Sequence, residues 1–176
     1  YFLVSGHLDD RTFGVCDFTS FAPGANDDGS GTAVSIELAY ILGKLPSIES
    51  SMIFMAVVGE DEGLFGSQAY VNWVVQNGVD IAGMATDDVC GNIEDGAGGR
   101  DSTRVRHFSG PPSTSSSRQL TRYFKLKGEA YQPGFTVDLI PALDRPGRGG
   151  DHAPFYSAGY PAVRFTEQLE NLAHQH

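Results

Sequence analysis

The hydrophobic positions along the chain follow two rhythms. Continuous apolar stretches at residues 2–5 and 52–58, with shorter ones at 81–86 and 162–165, have the length and composition of strands buried on both faces. After Ser30, the residues Val34, Leu38, Ile41, Leu42 and Leu45 recur at helical spacing until Pro46 stops the pattern. Ala69, Tyr70, Trp73 and Val74 repeat that spacing up to Gly78, and Leu120, Tyr123 and Phe124 do so after a serine-rich start at 113–117. Strands alternating with helices predict an α/β fold, three-layer α/β/α with a mostly parallel central sheet. The Gly- and Pro-rich stretches 96–99, 110–112 and 146–150 read as loops, because too few residues separate them to build a second core, so residues 1–176 are expected to form one domain.

Charge and composition narrow the function. Twelve Lys and Arg against 22 Asp and Glu leave a net charge of −10, the wrong sign for a surface that neutralises phosphate, so neither nucleic acid nor an anionic membrane is expected as a partner. The longest apolar run, 52–58, is far short of the roughly 20 residues that span a bilayer. Cys16 and Cys90 are compatible with one disulfide or with two buried thiols. Residue 1 is Tyr and no basic-then-apolar leader precedes it, which reads as a processed chain or a fragment.

In open parallel sheets, ligands bind outside the carboxyl ends of the strands, so the residues just beyond each candidate strand carry the most information. The first is followed by Gly6-His7-Leu8-Asp9-Asp10, the second by Gly59-Glu60-Asp61-Glu62 and the third by Asp87-Asp88. An acidic loop, Asn26-Asp27-Asp28-Gly29-Ser30-Gly31, leads into the best helix, and the chain closes with Ala173-His174-Gln175-His176. Singly, each segment is an ordinary turn or helix cap. Together they would crowd negative charge into one crevice, which repulsion and desolvation oppose unless cations are bound. Mixed histidine and carboxylate donors suit zinc better than calcium, and the Asp27 loop lacks the twelve-residue ligand spacing of a calcium-binding hand.

Five blocks in order resemble the co-catalytic dizinc exopeptidases, a family that includes bacterial leucyl aminopeptidases, glutamate carboxypeptidase and, more distantly, glutaminyl cyclase. They are His7-Leu8-Asp9; Ala22 through Gly31; Gly63-Leu64-Phe65-Gly66-Ser67 after an acidic pair; Asp88-Val89-Cys90-Gly91; and Gly150-Asp151-His152-Ala153-Pro154-Phe155. The resemblance implies two zinc ions bridged by Asp27, with His7 and Asp88 completing one site and Asp61 and His174 the other. It implies Glu60 as the general base that takes a proton from a metal-activated water and passes it to the leaving amine. Asp9 matches an aspartate that accepts the far ring N–H of the ligand His7, and Asp151 matches a buried aspartate beside the site.

The chain departs from the family pattern at several points. Glu60-Asp61 stands where Glu-Glu is usual, which brings in Glu62 as an alternative ligand. Ala173 replaces a Tyr that assists the oxyanion in several relatives, and His176 competes with His174 for the last ligand position. The helix and strands that usually precede the first ligand, and the final helix, are expected to be missing.

The resemblance implies a peptide substrate; an aminopeptidase needs a negative spot for the substrate ammonium, and the surplus carboxylates Asp10, Asp28, Glu62 and Asp87 are the groups that could supply it. Aminopeptidase is therefore the expected activity. Arg145, Arg148 and Arg164 are the groups a carboxypeptidase would use to clamp a terminal carboxylate. A non-catalytic metal-binding homologue and a one-zinc glutaminyl cyclase using Glu60 and Asp151 as proton shuttles are the alternatives. Relatives are mostly secreted or periplasmic, and the same is expected here; the sequence does not indicate an oligomeric state.

Overall fold

A computed structural model describes residues 1–14 and 16–175. Its six strands are β1 (Phe2–His7), β2 (Met52–Val57), β3 (Gly83–Asp87), β4 (Arg104–Phe108), β5 (Thr136–Ile140) and β6 (Ala162–Glu167). Four helices join them: α1 (Gly29–Leu42), α2 (Phe65–Gln76), α3 (Ser116–Tyr131) and the short α4 (His152–Ser157). One sheet results, in the order β2-β1-β3-β6-β4-β5. The four strands read from apolar runs are mutually parallel, and β4 joins β6 antiparallel while pairing parallel with β5. The fold is the mostly parallel α/β architecture expected, with β4, β5 and α4 added to it.

The two sheet faces are covered differently. Leu3, Met84 and Ala162 of the sheet pack with Val71 and Val74 of α2 and Phe155 of α4 in the main buried cluster. On the opposite face lie α1 and α3, with an apolar groove between them lined by Phe2, Val4, Leu38, Leu42, Leu120 and Phe124. Among the described residues no helix is long and apolar enough to cross a membrane. Cys16 and Cys90 are both unpaired thiols, Cys16 exposed and Cys90 beside the Ser30 hydroxyl.

Helix α1 forms where the periodicity predicts, but it ends at Leu42, and Gly43 caps it before Leu45 is reached. Its buried residues are Gly31, Thr32 and Ser35, while Ile41 is half exposed. The cause is close approach. A Cβ on Gly31 would lie 1.8 Å from the Asp87 carbonyl oxygen, and one on Gly6 would lie 2.3 Å from the Thr32 nitrogen. Only glycine at both positions lets the first turn of α1 lie directly across the carboxyl ends of β1 and β3. The Thr32 hydroxyl then donates to the His7 carbonyl at 2.8 Å, locking helix to strand. This contact brings the loop before α1 over the sheet's carboxyl edge.

Candidate metal and active site

Four segments meet at that edge. His7 closes β1, Glu60 and Asp61 follow β2, Asp88 follows β3, and Asp27 and Asp28 precede α1. Asp28 stitches three of them together: its carboxylate accepts backbone N–H groups from His7 at 3.0 Å, Gly31 at 2.9 Å and Val89 at 3.3 Å. Burial, with the nearby Asp88 charge, pushes its pKa up to about 8. Asp28 is therefore the cap of α1 and a structural staple, and it is not available to a substrate ammonium as the sequence suggested. Val89, buried and β-branched, holds a left-handed φ of 58° that turns the chain just after Asp88. Its amide is the one that Asp28 holds.

His7 is fully buried and central. Its Nδ1 lies 3.0 Å from the Asp9 main-chain carbonyl and 3.7 Å from the Asp9 carboxylate, so Asp9 orients the ring chiefly through its backbone. The Asp9 side chain accepts instead from the Asp61 amide, at 3.1 Å. The other ring nitrogen, Nε2, faces Asp27 Oδ1 at 3.2 Å and Glu60 Oε2 at 4.0 Å without a well-aligned hydrogen bond. Burial works against the charged ring, yet Asp27 and the charges of Asp88, Asp28 and Glu60 outweigh it and push the His7 pKa up to about 11. Burial and the Asp88 charge push Glu60 up to about 9. Burial likewise raises Asp88. Fully buried Asp151 is pushed to about 6 by burial, with the Ser67 hydroxyl and His7 drawing it down, and its charge bears on Glu60.

A buried histidine nitrogen aimed at carboxylates, in a cluster where Glu60 and Asp88 are disfavoured as anions, is the electrostatic signature of a site that wants a cation. The donor atoms of His7, Glu60 and Asp88 lie within 4.8 Å of one another, and so do those of His7, Asp9 and Asp61. Both groups offer a nitrogen and carboxylate oxygens, a donor set that zinc accepts. The residues present therefore fit the metal. Glu60, Asp61 and Asp88, with Asp27, border a cleft of about 290 Å³ whose walls also carry Arg11, Leu64 and Arg148. Arg11 Nε lies 3.2 Å from Asp61 Oδ1, and Arg148 Nη2 lies 3.8 Å from Asp27 Oδ2.

The structure thus brings together His7, Asp9, Asp27, Glu60, Asp61 and Asp88, with Asp151 adjoining. It does not bring in His174, which sits exposed on a short 3-10 turn (Leu172–His174) and lines a separate shallow pocket with Pro23, Asn26 and Asn92. Its neighbour Gln175 takes the inward place, accepting from Arg148 at 3.3 Å and donating to Glu170 at 3.1 Å. His176 lies outside the described residues. Two of the three arginines weighed as a carboxylate clamp are already committed. Arg164 is buried between Asp88 and Asp144, each at 2.8 Å, and Arg145 pairs with Asp144 and Glu170. The Asp88–Arg164–Asp144 ladder and the Asp28 staple were not foreseen, because a lone Arg on a strand and an Asp before a helix carry no signal of their partners.

Fold and site together define an α/β protein with a candidate carboxylate–histidine metal centre at the carboxyl edge of a parallel sheet. The chain belongs to peptidase family M28, whose description matches residues 1–176. A probable zinc metalloprotease of Leptosphaeria maculans is 40% identical to it, covering 99% of this chain and 44% of that protein. One of Pyrenophora teres f. teres is 38% identical, covering 99% of this chain and 40% of that protein. The chain therefore spans less than half the length of these relatives. In fold, it resembles the LapA aminopeptidase of Legionella pneumophila, with a TM-score of 0.74 and 22% identity over 99% of this chain and 42% of that one.

Proposed function

We propose that this chain carries the active site of a zinc-dependent aminopeptidase holding two ions. The observation that carries the reading is the meeting of His7, Asp27, Glu60, Asp61 and Asp88 at one cleft, from four separate segments. Zinc comes to the proposal from the fungal relatives' names and from the fit of the donor set. His7 and Asp88 would hold one ion and Asp61 the other, with Asp27 shared between them. Zinc bound there supplies Lewis-acid polarisation of the scissile carbonyl and acidifies water.

The chain's own residues do the rest. Glu60 borders the cleft and takes the proton of the attacking water, then returns it to the leaving amine. The Asp9 carbonyl holds the His7 ring with Nε2 directed toward Asp27 and Glu60, which fixes the tautomer. The Asp28 staple keeps the acidic loop in place against β1 and β3. An amine-recognising reading is favoured because Arg145 and Arg164 are taken up by internal ion pairs, while Glu62 is exposed beside Asp61.

The test is hydrolysis of leucine p-nitroanilide and of its N-acetylated twin by the zinc-loaded protein. Cleavage of the unblocked substrate alone, lost on treatment with a chelator and regained with zinc, is the expected result. Cleavage of the N-acetylated substrate at a similar rate, or activity indifferent to the chelator, overturns the proposal.

A further inference from the structure

Glu167 closes β6 and is 3% exposed, yet it belongs to neither candidate donor group found among the described residues. A buried carboxylate is costly unless donors surround it, and burial accordingly raises its pKa. Its Oε2 meets two donors from different loops, the Asn26 side-chain amide at 3.1 Å and the Asn92 backbone amide at 3.0 Å. The backbone of Glu167 is fixed as well. Its N–H donates to the Val89 carbonyl at 2.8 Å, and its carbonyl accepts from Arg106 Nε of β4 at 2.9 Å.

Asn26 closes the circuit. Its Oδ1 accepts the Gly91 amide at 2.8 Å, and its carbonyl accepts the Ser30 hydroxyl at 2.7 Å, whose oxygen accepts the Cys90 amide at 3.0 Å. The two loops approach so closely that a Cβ on Gly91 would lie 2.8 Å from the Ser30 Cβ. Asp27 is therefore pinned through both of its neighbours to the turn that follows Asp88: through Asn26 to Gly91, and through Asp28 to Val89. Glu167 is where that turn and the loop before α1 both meet β6.

We propose that Glu167 is a positioning residue of the metal centre. With Asn26 it clamps the loop carrying Asp27 to the turn carrying Asp88, and so sets the spacing of two carboxylates assigned to one ion. It does this as a hydrogen-bond acceptor: both bonds go to Oε2, and a single amide oxygen can do the same work. The inference rests on the zinc reading above.

The test is a competition titration of zinc against a chromophoric chelator, with visible spectra of the cobalt(II)-substituted protein and circular dichroism of each metal-free fold. Asn26→Ala and Glu167→Ala are each expected to keep the fold, to weaken zinc binding about tenfold or more and to alter the cobalt spectrum. The double variant is expected to lose little beyond either single one, since each removes the same clamp. Glu167→Gln is expected to bind zinc within about threefold of wild type and to keep its cobalt spectrum, because its amide oxygen still accepts. Wild-type zinc affinity in a folded Asn26→Ala protein, fully additive losses in the double variant, or a glutamine variant as impaired as the alanine one overturns the inference alone. Loss of the fold in both alanine variants assigns the clamp to folding and overturns it as well. A wild-type protein that takes up no ion overturns the zinc reading and the inference with it.

Discussion

Glu60→Gln is expected to retain its zinc and to lose about 10³-fold or more in kcat, with a much smaller change in KM. The substitution keeps the side chain's size and its place at the end of β2 while removing the ability to take a proton, and general-base catalysis is worth about 10²–10⁴-fold. The geometry makes this variant more informative than the sequence alone suggested. Glu60 Oε2 lies 4.0 Å from His7 Nε2, and Glu60 groups with His7 and Asp88 as closely as a ligand would. A base and a ligand are separated by this one substitution: loss of zinc together with activity would make Glu60 a ligand, and retained zinc with lost turnover makes it the base. Elemental analysis and steady-state kinetics on the same preparation read both.

Asp27→Ala is expected to lose both ions and all measurable activity while the chain still folds. Asp27 faces His7 Nε2 through Oδ1 at 3.2 Å, and its other oxygen lies toward Arg148 at 3.8 Å, so it is the carboxylate that reaches both sides of the cleft. Removing it relieves its repulsion of Asp88 and takes away the carboxylate that faces His7 Nε2. The metal-free variant is accordingly expected to fold and to melt close to metal-free wild type. Binding of one ion at wild-type affinity would show that the shared ligand is another residue. Thermal melting with and without zinc checks the prediction, since an ion that binds only the folded state raises the midpoint by an amount that grows with the logarithm of its affinity.

Much of this arrangement was legible in the sequence, for identifiable reasons. β1, β2, β3 and β6 are parallel strands in the body of the sheet, and such strands read as unbroken apolar runs. β4, Arg-Val-Arg-His-Phe, and β5, Thr-Val-Asp-Leu-Ile, alternate with polar residues at the other end of the sheet, and they are too short for that alternation to stand out. The buried face of α1 was misread because close backbone approach requires Gly31, Thr32 and Ser35 where an apolar stripe was expected. His7, Glu60, Asp61 and Asp88 were visible because they stand at or just beyond strand ends, and Asp27 because it lies in the acidic loop that leads into α1. Their partners were not, since the pairing of Arg164 with Asp88 spans 76 residues and exists only through β3–β6 adjacency. The last histidine was ambiguous for a similar reason: nothing local tells His174 from Gln175, and it is the pull of Arg148 and Glu170 that turns Gln175 inward.

The most direct test of the central claim is the number of zinc ions per chain, measured by elemental analysis after dialysis of the purified protein against metal-free buffer, with and without prior addition of zinc. A bridged centre built on Asp27 predicts close to two ions per chain in the zinc-treated sample. One ion or none contradicts it.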